Sequence, residues 1–496
     1  MGQPEKASTG IDGLDAVTAG GLTRGSLCLL EGTPGTGKTT IALQFLLAGV
    51  LDKQRTLYVT LSETKDELIR TAMSHGWSFT DDLEIFELQP PENILDPDQQ
   101  QTILYSSDLE LGETTQQILD AVKRIDPTLM VLDSLSEIRL LAQSSLRYRR
   151  QLLALKHLLA RRGITVLMLD DLTTDALDKT THSIAHSVIR LEELAPNYGG
   201  ERRRLKIMKY RGQAYRGGYH DFTIKTGGVE VYPRLVAAEH KGEYDRREQL
   251  RSGIGELDLL LGGGVDRGTS TLVLGPAGAG KSLIALQYAA AAMRRGEKAA
   301  VFMFDEELTV LLRRARGMGI DLGDFQQQGL LFLHQVDAAE LSPGEFTHQV
   351  RRLVERQGVE VVMIDSLNGY RAAMPEEQSL LLHMHELLQY LNRQGVSTFL
   401  TVAQHGLVGD MSTPIDVTYV ADTVLLMRYF EAHGRVRRAM SVVKKRTGGH
   451  EDTIREYRLS SVGITVGPVL HNFQGVLRGV PTFVGSDDAQ GGMLKG

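Results

Sequence analysis

The sequence predicts an α/β protein built from two tandem domains, each a mostly parallel β-sheet flanked by helices. Three observations predict it. First, the chain repeats itself: Thr9-Gly10-Ile11-Asp12-Gly13-Leu14-Asp15 returns as Ser252-Gly253-Ile254-Gly255-Glu256-Leu257-Asp258, and Gly20-Gly21-Leu22-Thr23-Arg24-Gly25 returns as Gly263-Gly264-Val265-Asp266-Arg267-Gly268. Gly10 and Gly253, Gly25 and Gly268, and Lys38 and Lys281 all stand 243 positions apart, a single gapless register that marks a duplication. Second, short continuous apolar runs alternate with longer amphipathic stretches in each copy, as expected for strands buried on both faces under helices. Third, each copy carries G-x-x-x-x-G-K-[S/T] directly after its first long apolar run.

Length and composition agree. A chain of 496 residues exceeds one ordinary core, and two domains of about 240 residues fit. We expect a first domain over 1–238, a linker over 239–248, a second domain over 249–484 and a flexible tail over 485–496. The linker is charged and turn-rich, and the tail is polar and glycine-rich. With 42% hydrophobic and 24% charged residues, the chain is neither disordered nor fibrous in composition. A net charge of −7 gives no overall footprint for nucleic acid, which is not an expected partner. Cys28, the only cysteine, excludes intrachain disulfides and cysteine-based zinc clusters, and its apolar run reads as a buried strand. No apolar run approaches the roughly 18 to 20 residues of a membrane span, and the first residues lack a signal peptide's apolar centre. A cytoplasmic location without membrane contact is expected.

The expected strands are 26–31, 56–61, 129–133 and 165–169 in the first copy, and 271–274, 299–304, 359–365 and 397–402 in the second. Gly32-Thr33-Pro34-Gly35-Thr36-Gly37-Lys38-Thr39 follows the first strand and opens a helix with Thr40. That context makes it a phosphate cradle: the glycines let backbone N–H groups surround the phosphates, and the helix N-terminus adds a favourable dipole. Lys38 then contacts the β- and γ-phosphates and Thr39 offers its hydroxyl to Mg²⁺. Gly275-Pro276-Ala277-Gly278-Ala279-Gly280-Lys281-Ser282, followed by Leu283, repeats the arrangement with Lys281 and Ser282 in the same roles. ATP and Mg²⁺ are the expected ligands.

Asp133 and Asp365 end the runs 129–133 and 359–365, where a parallel strand delivers its carboxyl end to the ligand crevice. Both are candidate Mg²⁺ partners, although an acid after a strand also caps helices. Glu63 and Glu306 each stand 25 residues after their P-loop lysine, and Asp305 precedes Glu306. A carboxylate there suits the orientation of an attacking water or hydroxyl. The alternative is an acid favouring the start of helices 65–74 and 308–317.

The order of these pieces resembles the KaiC group of the RecA-like superfamily, tandem-domain ATPases, over about residues 8–484. The duplicated Gly-Ile-x-x-Leu-Asp opening, the P-loop, the acidic strand end and a late lysine-x-arginine hairpin carry the resemblance. The hairpins are Lys209-Tyr210-Arg211-Gly212 and Lys444-Lys445-Arg446. Taken alone, they read as solvated basic turns. The resemblance implies RecA-like domains in a homohexameric ring with ATP at subunit interfaces, where Lys209, Arg211, Lys444 and Arg446 reach the neighbour's phosphates. It also implies ATP hydrolysis, serine/threonine autokinase activity, and KaiB-like or other signalling proteins as partners. Where the family has adjacent glutamates, this chain has Ser62-Glu63 and Asp305-Glu306. Since the first of each pair orients the attacking group, the second domain is expected to keep phosphoryl transfer and the first to serve nucleotide-dependent assembly. In Thr418-Tyr419-Val420-Ala421-Asp422-Thr423, Thr418 falls on the family's phosphoacceptor serine and Tyr419 on its threonine.

Two rival functions remain at this level. A DNA-processing ATPase on the same core is disfavoured by the acidic total and by the lack of a recognisable zinc or helix-hairpin DNA module. A nucleotide-gated scaffold that does not hydrolyse would follow if the substitutions at Ser62 and Asp305 removed turnover. The histidines, including His383 and His385 on one expected helix, form no metal constellation. The clusters 147–150 and 202–204 read as solvated basic faces or subunit contacts.

Overall fold

The computed structural model describes residues 5–78, 82–88, 103–172, 180–195, 199–240, 242, 248–372, 377–404, 418–461, 463–478 and 482–484. The expected tail and residues 241 and 243–247 of the expected linker lie outside the described residues. The chain divides into two compact units after Arg234. Residues 235–240 pack with the second unit: Leu235 and Ala237 are buried beside Leu387 and Leu388, and the Ala237 N–H donates to Glu386 Oε2 at 2.9 Å.

Each unit is built on a nine-stranded sheet. In the first, the spatial order is Gly228–Tyr232, Tyr219–Lys225, Arg202–Tyr210, Ser187–Leu194, Leu27–Gly32, Thr165–Asp171, Leu129–Asp133, Thr56–Thr60, Leu83–Glu87. The six strands from Ser187–Leu194 to Leu83–Glu87 are parallel, and the remaining three add antiparallel. The second sheet has the same plan: Leu331–Gln335, Lys298–Met303, Val359–Asp365, Ser397–Ala403, Ser270–Gly275, Thr423–Ala432, Arg435–Lys445, Arg455–Ser460, Gly463–Val469. In both, the P-loop strand lies between two parallel neighbours and every residue of it is buried. That double burial is why these strands read as unbroken apolar runs.

Helices cover both faces. In the first unit Asp12–Val17, Lys38–Leu51 and Lys65–Ser74 enclose one core, while Leu135–Ala142 and Ser145–Arg161 enclose the other. In the second unit Lys281–Arg294 and Leu308–Arg316 lie over one face, and Pro343–Gln357 and Glu377–Arg393 over the other. Phe45 on the first P-loop helix is fully buried; its truncation to alanine costs about 3–5 kcal/mol at such a site. The repeated opening motif also has a local cause. The Asp15 carboxylate folds back onto the Thr9 N–H and hydroxyl (2.9 and 2.6 Å), and Asp258 does the same to the Ser252 N–H at 2.8 Å. Gly21 and Gly264 have φ of 112° and 141°, and a Cβ there would collide with the carbonyl oxygens of Ala7 and Leu250.

Several strands outrun their expected ends. Thr165–Asp171 continues two residues past the apolar run, because its last residues still pair with the P-loop strand although they are charged. That extension carries part of the site.

Candidate functional site

Both P-loops sit at the carboxyl end of the central strand, where Gly32 and Gly275 close it. Gly37 and Gly280 cap the following helices at φ of 94° and 100°, the left-handed region that a side chain resists. The loops close alike: the Thr36 N–H donates to the Thr33 carbonyl and the Ala279 N–H to the Pro276 carbonyl, both at 3.3 Å. The first unsatisfied N–H groups of helices Lys38–Leu51 and Lys281–Arg294 therefore face the cradle.

In the first unit Lys38 Nζ donates to the carbonyls of Gly32 and Thr33 (2.9 and 3.1 Å) and pairs with Asp171 Oδ1 at 2.8 Å. Asp133 is buried and accepts a 2.6 Å hydrogen bond from the Tyr58 phenol. Burial raises the Asp133 carboxyl pKa, opposed by Tyr58 and Lys38. Burial also raises Glu63, reinforced by the charges of Asp133 and Glu67 and opposed by a hydrogen bond from Thr39. Thr39, Glu63, Asp133 and Lys38 thus lie together at the first P-loop. Ser62 is exposed on the same turn.

In the second unit Lys281 is buried and Nζ donates to the Pro276 carbonyl at 2.8 Å. Burial lowers its pKa while the nearby Asp365 raises it. Asp365 is also buried and accepts a hydrogen bond from the Thr401 hydroxyl. Asp305 is exposed and accepts from the hydroxyl of Ser366, the residue after Asp365. Glu306 pairs with Arg314 at 2.8 Å; burial raises its pKa, Arg314 lowers it and Asp365 raises it. The peptide bonds Asp133–Ser134 and Asp365–Ser366 are both cis.

These residues fit Mg²⁺. Glu63 Oε2 is buried with no hydrogen-bond partner, beside the Thr39 hydroxyl and Asp133, so an oxygen donor set is available. Among the described residues no group of three or more His, Cys, Asp or Glu is placed to hold a metal alone. Mg²⁺ at a P-loop needs no such group, because the nucleotide's phosphates and water complete its shell.

The lysine-x-arginine hairpins lie elsewhere. Lys209 pairs in register with Val188, which faces Leu29, and Lys444 pairs with Val424, which faces Leu272. Both stand three residues before the P-loop ends of their central strands, Gly32 and Gly275, and the chain then runs on away from the cradle. Arg211 and Arg446 are at the far, amino-terminal end of the parallel strands. Lys209 Nζ donates to the carbonyls of His182 and Ala185, and Arg211 to that of Ser183. Lys444 Nζ donates to the carbonyls of Thr418 and Ala421 (2.6 and 2.8 Å), and Arg446 to that of Tyr419 at 2.6 Å. Thr418 is half-buried and Tyr419 exposed.

Sequence reasoning missed Tyr58, Thr401, Ser366 and Asp171, each a polar residue within or just past an apolar run. It also missed Glu31, buried on the P-loop strand between His182 Nε2 at 2.6 Å and Arg190 at 2.7 Å. Burial pushes the Glu31 carboxyl up, but His182 and Arg190 bring it below its ordinary value. His383 is a core residue, held by Tyr370 and Thr347 at 2.6 and 2.9 Å. Arg203 and Arg204 pair with Glu193 and Glu192 across a hairpin.

Two phosphate-cradling loops at the carboxyl ends of two like sheets define a tandem RecA-like P-loop nucleotide-binding protein. The family model "ATPase: KaiC" matches residues 7–236 and again 250–471, so the chain belongs to the KaiC ATPase family. It is similar to the "Circadian clock oscillator protein KaiC" of Acaryochloris marina, 27% identical over 97% of this chain and 92% of that protein. The corresponding protein of a Picosynechococcus species is 28% identical over 98% and 94%. The "Circadian clock protein KaiC3" of a Synechocystis species is 27% identical over 98% and 96%. No helix among the described residues is long and apolar enough to cross a membrane.

Proposed function

We propose that this chain forms a cytoplasmic homohexameric ring that binds ATP with Mg²⁺ in both units, hydrolyses it, and phosphorylates itself on Thr418. Its nucleotide or phosphorylation state is then read by KaiB-like or other signalling partners. The clock names of its relatives support that last step.

The observation carrying the ring is the position of the hairpins. Arg211 and Arg446 lie past the amino-terminal end of the parallel strands, opposite their own P-loops, and Lys209 and Lys444 stand midway along them, which supports the reading that phosphates these side chains contact belong to a neighbouring subunit. An arginine supplied across an interface stabilises charge on a transferring phosphoryl group. Lys444 and Arg446 hold the carbonyls of Thr418 and Tyr419, which supports Thr418 as the acceptor by keeping it beside the side chains that would engage the neighbour's phosphates.

Within the second unit Lys281 anchors the β- and γ-phosphates, Ser282 and Asp365 hold Mg²⁺, and Asp305 orients the attacking oxygen. Glu306, tied to Arg314, fixes the turn that presents Asp305. Bound Mg²⁺ neutralises phosphate charge. In the first unit Lys38, Thr39 and Asp133 take the corresponding binding roles.

Incubation with γ-labelled ATP and Mg²⁺ tests this reading, with free phosphate separated from labelled protein and assembly followed by sedimentation. The expected result is a hexamer whose label is lost in Lys281→Ala and Thr418→Ala but kept in Lys38→Ala. Steady phosphate release without label would remove the autokinase; neither label nor release would leave a nucleotide-gated scaffold.

A further inference from the structure

The strand end beside the first P-loop carries a carboxylate that the second unit lacks. In register with the P-loop strands, Gly32 faces Asp171 and Gly275 faces Ala403. Both ends are pinned alike: the Asp171 N–H donates to Ser136 Oγ at 3.4 Å, and the Ala403 N–H to Asn368 Oδ1 at 2.9 Å. Ser136 and Asn368 stand at matching places after the acidic strand ends Asp133 and Asp365, so Asp171 and Ala403 occupy one backbone position. Two strands away, on the turn after Thr56–Thr60 and its counterpart Lys298–Met303, the exchange runs the other way, with Ser62 in the first unit and Asp305 in the second. Beside the glutamates that both units share, Glu63 and Glu306, each crevice therefore has one further carboxylate, after different strands.

Asp171 Oδ1 is 2.8 Å from Lys38 Nζ, with side-chain exposures of 30% and 10%. Its neighbour Asp170 is committed to Arg139 and Ser136. Only Asp171 is turned to the amine that contacts β- and γ-phosphates. A carboxylate there cannot itself be a phosphate ligand, because two anions repel. It can accept a hydrogen from a water lying between it and the γ-phosphate.

We infer that Asp171 is the water-orienting carboxylate of the first unit, replacing the one absent at Ser62, so that this unit hydrolyses ATP as well as binding it. The inference rests on the ATP-hydrolysing reading above. Asp171 accepts a hydrogen bond from water, whose oxygen forms a bond to the γ-phosphorus. The bond from that phosphorus to its β-bridging oxygen breaks, and the electron pair leaves on ADP. The water's proton passes to Asp171 and from there to the phosphate product.

The test uses the full chain with Lys281→Ala, so that the first unit is read alone, with and without Asp171→Asn. ATP binding and phosphate release at saturating ATP are measured. Asp171→Asn is expected to lower kcat at least about tenfold while ATP affinity stays the same or tightens. Adding Ser62→Glu is expected to recover part of the rate. A kcat within about twofold of the parent would overturn the inference and leave Asp171 as the counter-ion of Lys38. Loss of ATP binding in Asp171→Asn, or a parent that binds ATP without releasing phosphate, would overturn it too. Release from a Lys38→Ala chain separates the two readings. If the second unit turns over there while the first is silent, only the role of Asp171 falls; if both are silent, the ATPase reading falls with it.

Discussion

The two units share a backbone and differ in where they put charge. Strand order, P-loop glycine conformations and the pinned strand end beside each P-loop are the same in both. In the first unit Glu31 on the P-loop strand is gripped by His182 and Arg190, Tyr58 reaches Asp133, and Asp171 meets Lys38. At the matching register positions the second unit has Leu274 facing Leu426, Val301, and Ala403. Its own polar additions are Thr401 on Asp365 and Asp305 on Ser366. Duplication kept the cradle, which only one backbone geometry can form, and left the surrounding carboxylates free to change strands.

The largest expected effect tests the second half of that contrast. In a Lys38→Ala chain, where the second unit is read alone, Asp305→Asn should lower phosphate release by about a hundredfold or more at unchanged ATP affinity. A drop confined to affinity would move Asp305 from the chemistry to binding and erase the difference from Ser62. A smaller effect probes the first unit. Glu31→Leu makes its P-loop strand resemble the second one but leaves Arg190 and His182 without their shared anion. Breaking a buried ion pair costs about 3–5 kcal/mol. Both partners here are 29% exposed, so water screens them and about 1–3 kcal/mol is the expected loss. In a calorimetric scan only the first unit's transition should fall. An unchanged transition would mean the charged cluster is equivalent to the apolar contact it replaces.

Much of this was legible in the sequence, and the exceptions have a common cause. The P-loops, Asp133, Asp365 and the two sheets could be read because phosphate binding fixes a spacing and double burial makes a strand uniformly apolar. Strand 165–169 was expected to stop at Leu169 because charge ends an apolar run. In the structure, backbone pairing to Glu31 and Gly32 carries it to Asp171, the residue on Lys38. Tyr58 looked like an ordinary strand aromatic, and its phenol gains a role only because Leu129–Asp133 lies alongside. Glu31 and His182 are 151 residues apart. No local period announces such a pair, since it is made by the sheet order. The antiparallel hairpins were visible only as basic turns, and their distance from the P-loops is a consequence of register.

The smallest effect concerns a property the two units should share. His220 in the first unit accepts the Arg234 N–H and meets the Arg216 carbonyl, and His383 in the second sits between Tyr370 and Thr347. Burial depresses both to about 4, and for His220 the charges of Arg216 and Arg234 also depress it, against a hydrogen bond to Arg216. A histidine whose folded pKa lies below its unfolded value of about 6.5 is neutral in both states above that value, so its contribution is complete there. As pH falls from about 6.5 toward 4, the unfolded chain binds a proton that the folded one refuses, and stability declines. At pH 5.5 the loss is about 1 kcal/mol for each histidine. Between pH 7.5 and 5.5 both calorimetric transitions should therefore drop by similar amounts, although the two sites differ in charge. His383→Gln should remove this contribution from the second transition while leaving the first untouched. A second transition whose pH slope is the same with glutamine at that position would show that the acid sensitivity of this unit lies in its crevice carboxylates, and that the units differ in their response to protons as well as in their chemistry.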